Sequence, residues 1–428
     1  MLSGSASPLS TFQLSVLFFL QLAFILMVCR AVGWMARRLG QPQVVSEMIA
    51  GVLMGPSVFG LLWPEGQKTL FPEASKPILF AASQVGLSLY MFLVGVEFRR
   101  DLFANKIRSA TSVSLAGMIV PFLLGGLIGS WLLKHPGMFG ERVSQLEATL
   151  YLGASMCITA FPMLARIIYE RGLSGTSLGT LALAAGAIDD AAAWCVLAVV
   201  LASFGDSWTI AALAIGGGAL YALVVLTAGR SFLSKLGDKV EASGDLTSQS
   251  FGLILMLVML GSWITDFIGI YAVFGAFVLG VAMPRGKIAE ILRGRMESMT
   301  VVFLLPLFFT FSGLNTRLDT VDSWGLWGIA LVVLAAACIG KGGACYAAAR
   351  IHGEDQRTSL AVGTLMNARG LMELIILNIG LQKGIIQPTL FSIMVIMAVV
   401  TTLMASPMFE WVYGRHARAK GILGPPAT

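Results

Sequence analysis

Gly186-Ala187-Ile188-Asp189-Asp190-Ala191-Ala192-Ala193-Trp194 places two adjacent carboxylates near the middle of about 27 otherwise apolar residues, from Ser177 to Phe204. A run of that length crosses a bilayer as a helix. Each ionised Asp at a helix centre costs roughly 2.5 to 3.5 kcal/mol on insertion scales, and the small residues around this pair do little to offset it. By default, an ionisable residue within a span marks an ion or proton path. The alternative, a loop joining two short helices, lacks turn residues after Asp190.

The rest of the chain fits such a span. Of 428 residues, 57% are hydrophobic and 12% charged, and the mean hydropathy is +0.82. That composition excludes a soluble globule and implies an all-α polytopic membrane protein. The five cysteines, Cys29, Cys157, Cys195, Cys338 and Cys345, lie in apolar segments without metal-ligand spacing and read as small core residues. His135, His352 and His416 fall in loops or the tail, which argues against a buried histidine relay. No nucleophile–base set, phosphate loop or metal motif points to an enzyme, no cofactor is implied, and nothing suggests nucleic acid as a partner.

Apolar runs long enough to span read at about 12-30, 43-62, 78-97, 110-133, 148-170, 176-204, 208-229, 249-267, 270-284, 299-316, 325-349, 358-382 and 389-413. This gives about 13 transmembrane helices. The weakest division is between the eighth and ninth, where only Thr265-Asp266 and Gly269 intervene. Basic residues test the count. Loops on one side carry 21 of the 29 lysines and arginines, from Arg30, Arg37 and Arg38 to Arg415, Arg418 and Lys420. The other side holds only Lys68, Lys76, Lys134, Arg142, Arg317 and Lys383, leaving Lys341 and Arg369 within spans. By the positive-inside rule the N-terminus is outside and the C-terminus cytoplasmic, and merging the eighth and ninth spans would destroy the alternation. With no basic residue before it, the first span reads as uncleaved rather than as a signal peptide.

An odd count with a central span suggests two inverted-topology repeats: a first half at 12-204, a linking span at 208-229, an inverted second half at 249-413 and a short tail at 414-428. In such folds the substrate site lies at the midplane, where discontinuous helices from corresponding positions of the two halves meet. The fifth and twelfth spans correspond. The fifth carries Cys157-Ile158-Thr159-Ala160-Phe161-Pro162, and the twelfth Met366-Asn367-Ala368-Arg369-Gly370-Leu371. Pro162 removes a backbone donor, and Asn367, Arg369 and Gly370 interrupt an apolar run, so both read as broken helices rather than ordinary kinks. Lys341, about 16 residues into the eleventh span, is a charge partner for one aspartate unless tilt lets it snorkel to water. Adjacent helix positions differ by about 100°, so Asp189 and Asp190 point in different directions, one toward Lys341 and one toward an aqueous cavity. Glu47 either lines an access path or complements a helix dipole one turn inside its start. Asp266 reads as a cap, and the pairs Gly51/Gly55 and Gly125/Gly129 as close helix packing.

At these residues the chain resembles the monovalent cation:proton antiporters of the second superfamily branch, Kef-type and bacterial Na⁺/H⁺ antiporters among them, and most of all the plant cation/H⁺ exchangers. The likeness runs through Gln41-Pro42 to Glu47 and Gly55-Pro56-Ser57, Thr159 to Arg166, and Ala187-Ile188-Asp189-Asp190 to Trp194. It continues through Thr265 to Ile270 with Phe274-Gly275-Ala276-Phe277, Pro306-Leu307-Phe308-Phe309 to Gly313-Leu314, and Asn367 to Leu374. The resemblance implies a homodimeric, elevator-type exchanger of Na⁺ or K⁺ for protons, with crossed discontinuous helices, in a plasma or bacterial inner membrane. The whole chain, 1-428, would form a single sodium/proton-exchanger-like membrane domain. By position it makes Asp190 the shared cation and proton carboxylate, Asp189 the partner of Lys341, and Thr159 a ligand; Arg369 and Glu373 match the twelfth-span motif. With about 15 residues after Tyr413, no C-terminal regulatory nucleotide-binding domain is expected. Two other classes compete: a cation channel, which would want rings of charges or carbonyls, and a sodium-coupled organic solute symporter, which the vicinal aspartates and Lys341 suit less well.

Overall fold

The computed structural model describes residues 10–38, 43–98, 100–173, 175–203, 209–314, 321, 323–419 and 421. Gln41, Pro42, Arg99, Phe204, Arg317, Lys420 and 422–428 of the tail lie outside the described residues, as do the side chains of Pro162, Trp194, Leu371, Met372 and Leu374. Every regular element among the described residues is a helix, and the one extended pairing is an isolated bridge between Phe139 and Ile386. Hydrocarbon leaves a backbone no water to bond, so apolar runs close their N–H and C=O groups within the segment.

Nine helices among the described residues are long and apolar enough to cross a membrane. The interrupted segments and the short Ala272–Ala282 helix do not reach that length in one piece. Ser248–Phe267 and Ala272–Ala282 are separate helices, with Gly269 at φ 89° between them, a left-handed conformation that glycine adopts without strain. The Asp266 carboxylate accepts the Ala272 N–H and so caps the second of these helices.

The helices sort into two packed groups. Thr11–Arg38, Gln43–Met54, Lys76–Glu97, Ser248–Phe267, Ala272–Ala282 and Leu305–Leu314 pack on one another. A second group holds Arg100–Leu132, Gln145–Cys157, Ser177–Ser203, Trp324–Ala337, Ala344–Ile351, Gln356–Met366 and Pro388–Phe409. Each group draws on both halves of the chain. Small residues let the backbones touch inside each group. A Cβ on Gly125 would lie 2.7 Å from the Leu152 carbonyl oxygen, and one on Gly129 2.5 Å from that of Ala148. In the other group a Cβ on Gly95 would run into the Phe277 carbonyl oxygen.

Backbone atoms cannot retreat as a flexible side chain can. Gly129→Val should therefore cost about 1–3 kcal/mol of overpacking and lower the melting temperature of the detergent-solubilised protein. An unchanged melting temperature would contradict the close approach.

Candidate ion-binding site

Two helices stop half-way and resume. Gln145–Cys157 is followed by Ile158, Thr159 and Ala160, and then by Phe161–Glu170 with a proline in its first turn. Gln356–Met366, capped by Asp355 accepting the Arg357 and Thr358 N–H groups at 3.0 and 3.1 Å, gives way at Asn367–Gly370 to Leu371–Gln382. At 1.5 Å per residue each piece covers only about half of a ~30 Å hydrocarbon core. The opened backbone must then be buried in protein, and it is: Thr159, Ala160, Ala368 and Arg369 are all buried. The breaks lie against each other, the Ala160 N–H donating to the Ala368 carbonyl at 3.3 Å. Gly370 permits this approach, since a Cβ there would sit 2.9 Å from that of Ala160.

A break strands carbonyls, and two buried cations collect them. Lys341 Nζ donates to Cys157 O, at the end of the first half-helix, to Gly117 O at 3.0 Å and to Asp189 Oδ2 at 3.0 Å. Gly117 is also an orphan, because the residue four positions on is Pro121, inside the Arg100–Leu132 helix and without an N–H. Thus the three ammonium donors meet three acceptors, and both ends of the Lys341–Asp189 pair are fully buried. Lys341 lies in a π-helical turn, Cys338–Gly343, a local widening of the helix often found at functional positions. Arg369 serves the neighbouring carbonyl, its Nη2 donating to Met156 O at 2.7 Å, while its backbone N–H donates to Thr402 Oγ1 at 3.1 Å. Its Nη1 is 3.6 Å from Glu373 Oε1, longer than a hydrogen bond.

Asp190 is 5% exposed and sits about 100° round the helix from Asp189. A partly open cavity is lined by Thr180 and Leu183 of the same helix, by Tyr90 and Glu97, by Arg166 and Tyr169, and by Arg293 and Glu297 among others. Seven positions along a helix return to within about 20° of the same direction. Asp190 therefore continues the Leu183 stripe about 10 Å deeper, while Asp189 turns away to Lys341. At the cavity wall Arg293 Nε pairs with Glu97 at 3.2 Å and Glu297 at 2.9 Å, and Tyr169 Oη donates to Glu297 at 2.6 Å.

A sodium/hydrogen exchanger, transmembrane, family model matches residues 10–413. The chain belongs to that family. As a family member it is 37% identical over 91% of its length to the Na(+)/H(+) antiporter NhaS4 of Synechocystis sp., covering 95% of that protein. It is 36% identical to Cation/H(+) antiporter 17 of Arabidopsis thaliana over 93% of its own length but only 48% of the relative's, so it spans about half the length of such plant relatives. The K(+)/H(+) antiporter 1 of Saccharomyces cerevisiae is 30% identical over 96% of the chain and 47% of its own length. The solved sodium proton antiporter MjNhaP1 from Methanocaldococcus jannaschii shares the fold, with a TM-score of 0.59 at 16% identity, covering 95% of this chain and 99% of that one.

Within this exchanger, the crossing gathers Thr159, Asp189, Lys341, Asn367, Arg369 and Gly370, with Asp190 on the stripe below the cavity and Glu373 one turn into the last half-helix. Pro162 lies in the first turn after the first break. Glu47 stands apart. It is 3% exposed and accepts from Gln43 Nε2 at 3.3 Å. The N–H of Gln43 that opens the Gln43–Met54 helix is taken by the Glu170 carboxylate, at 2.6 Å, and Arg166 Nε pairs with Glu170 at 2.6 Å. Sequence reasoning missed Gly117, although Pro121 four residues on is the signal that its carbonyl needs another donor.

Removing one partner of a buried ion pair strands the other and costs about 3–5 kcal/mol. Lys341→Met and Asp189→Asn should each lower the melting temperature strongly, and the double variant by less than the sum of the two. Additive losses would show that the pair is not coupled.

Proposed function

We propose that the protein is a secondary active antiporter exchanging Na⁺ or K⁺ for H⁺, with Asp190 as the carboxylate that proton and cation share. The observation that carries this reading is the division of the acidic pair: Asp189 is fixed to Lys341 with no exposure, while Asp190 continues a helix stripe that leads to the partly open cavity at Thr180 and Leu183. A carboxylate deep in such a site is neutralised by a proton or, when ionised, stabilised by a monovalent cation, and the two exclude each other. Exchange follows when the empty ionised site does not readily cross. Hard oxygens suit alkali ions, and Thr159 Oγ1 is buried without a hydrogen-bond partner among the described residues. The relatives' names supply the ion classes, sodium for the cyanobacterial protein and potassium for the yeast one.

In this reading the group containing the two interrupted helices moves against the other group, carrying the ion past the barrier as an elevator. The sorting of helices into two groups supports that movement. Thirteen crossings, an outside N-terminus, a cytoplasmic C-terminus and a plasma or bacterial inner membrane follow from the charge distribution and the resemblance, and a homodimer from the resemblance. Lys341 gives transport its electrical character. If its ammonium releases a proton as the cation arrives and the Asp189 pair opens, more than one proton moves per cation.

Proteoliposomes loaded with a pH gradient and challenged with Na⁺, K⁺ or Li⁺ test the reading. Asp190→Asn should abolish cation-dependent dissipation of the gradient, and the wild-type rate should respond to an imposed membrane potential. Exchange surviving in Asp190→Asn would sink the central assignment, and indifference to the potential would sink electrogenic exchange.

A further inference from the structure

The second interrupted helix contributes a polar atom to the crossing that the proposed exchange leaves unused. Asn367 is 6% exposed, and its Nδ2 donates to Cys338 Sγ at 3.4 Å. Its Oδ1 has no hydrogen-bond partner among the described residues, and neither does the hydroxyl of the fully buried Thr159. The two residues are neighbours in the joined breaks, each one position before the Ala160–Ala368 backbone hydrogen bond. The Ser177–Ser203 helix packs against both Gln145–Cys157 and Gln356–Met366, which brings the acidic pair to the same crossing.

Backbone geometry does not explain the asparagine. Asn is favoured after a helix where the chain turns left-handed, but Asn367 has φ −80° and ψ −2°, open to any residue. Nor does the thiol contact need the carbonyl end of the amide. A buried amide oxygen without a donor costs roughly 1–3 kcal/mol, and a cation arriving at the crossing would satisfy it.

We propose that Asn367 Oδ1 is a ligand of the transported cation, facing the Thr159 hydroxyl from the opposite break, and that it sets the preference among Na⁺, K⁺ and Li⁺. This rests on the reading of Asp190 as the shared carboxylate. The charge of Asp190 attracts any alkali ion, so discrimination falls to the number and spacing of neutral oxygens around it. The amide oxygen is well placed for that role, because the contact of its nitrogen with Cys338 fixes its orientation. Cys338 lies one turn before Lys341 in the same π-helical stretch, so the ligand and the ion pair share one support.

Wild type, Asn367→Ala, Asn367→Ser, Asn367→Asp and Asp190→Asn are compared in proteoliposomes for the concentration dependence of Na⁺-, K⁺- and Li⁺-driven proton movement. Cation-induced shifts in melting temperature are measured in detergent alongside. Loss of one good ligand should raise the half-saturating cation concentration of Asn367→Ala by ~10-fold, the effect of about 1.4 kcal/mol. The Na⁺ to K⁺ ratio should change with it. The cation-induced melting shift should shrink in parallel. Asn367→Asp, which keeps an oxygen at the same reach, should recover part of the affinity; it also serves as the test if Asn367→Ala does not fold. Unchanged half-saturation and cation order, with maximal rates equal or uniformly lowered, would overturn the proposal. If Asp190→Asn abolishes exchange while the Asn367 variants keep the wild-type preference, only this inference falls; if Asp190→Asn still exchanges, the parent reading falls with it.

Discussion

One ammonium group holds the centre of this protein together. Lys341 reaches the end of a broken helix, the carbonyl left open by a proline in a second helix, and the carboxylate of a third. Each acceptor alone would be an expensive thing to bury. A stranded carbonyl away from water costs about as much as a lost hydrogen bond, and an ionised Asp far more. Grouped around one cation, they satisfy each other. Three helices are thereby fixed to the Lys341 segment at the depth where the interrupted helices open. The π turn belongs to the same solution. Gly363 lets the Gln356–Met366 helix approach the residue beside the lysine so closely that a Cβ on it would lie 2.5 Å from the Gly342 carbonyl oxygen.

This arrangement explains why the acidic pair is not redundant. Had both aspartates faced Lys341, no ionised oxygen would have been left for a cation. Had both faced the cavity, Lys341 would have been a buried charge with only dipoles to meet it. The 100° step between neighbouring helix positions turns one carboxylate to Lys341 and leaves the other for the ion in the proposed exchange. Cooperation between the two is built in, because a movement of the Ser177–Ser203 helix about its axis shifts both at once.

Much of this was legible in the chain. Helix follows from hydropathy because lipid permits few alternatives, and the breaks follow from Pro162 and from the polar Asn367 and Arg369 with Gly370. That one of the two aspartates meets Lys341 follows from cost, since two buried charges of opposite sign on spans that flank the breaks are cheaper together; that it is Asp189 is what the family resemblance implies. Other features are tertiary and leave little local trace. Glu170 caps a helix start 127 residues earlier in the chain, so the dipole role considered for Glu47 could not be assigned from the Glu47 neighbourhood alone. The π turn at Cys338-Ile339-Gly340-Lys341-Gly342-Gly343 is announced only by its glycines, which permit a widened turn without requiring it. Which helices belong to which packed group is likewise set by small residues meeting across the interior, and hydropathy does not encode their partners.

The two buried cations at the crossing look alike but differ in what they can do. Both donate to carbonyls at the end of the same half-helix, Arg369 to Met156 and Lys341 to Cys157. There the unsatisfied carbonyls form the negative end of the helix dipole. A guanidinium stays charged under all ordinary conditions, whereas an ammonium on a buried stem can surrender its proton. Arg369 therefore suits a permanent cap, held also by Thr402 through its backbone and set too far from Glu373 for a hydrogen bond. Lys341 is the point where three helices meet on one group: without its ammonium, Asp189, Gly117 and Cys157 would each lose a donor together, and the break beside Thr159 would loosen in the same event. Arg369, one residue away in the carbonyl order, ties down a single carbonyl of that half-helix. The lysine therefore couples the break to the acidic pair, and the arginine does not.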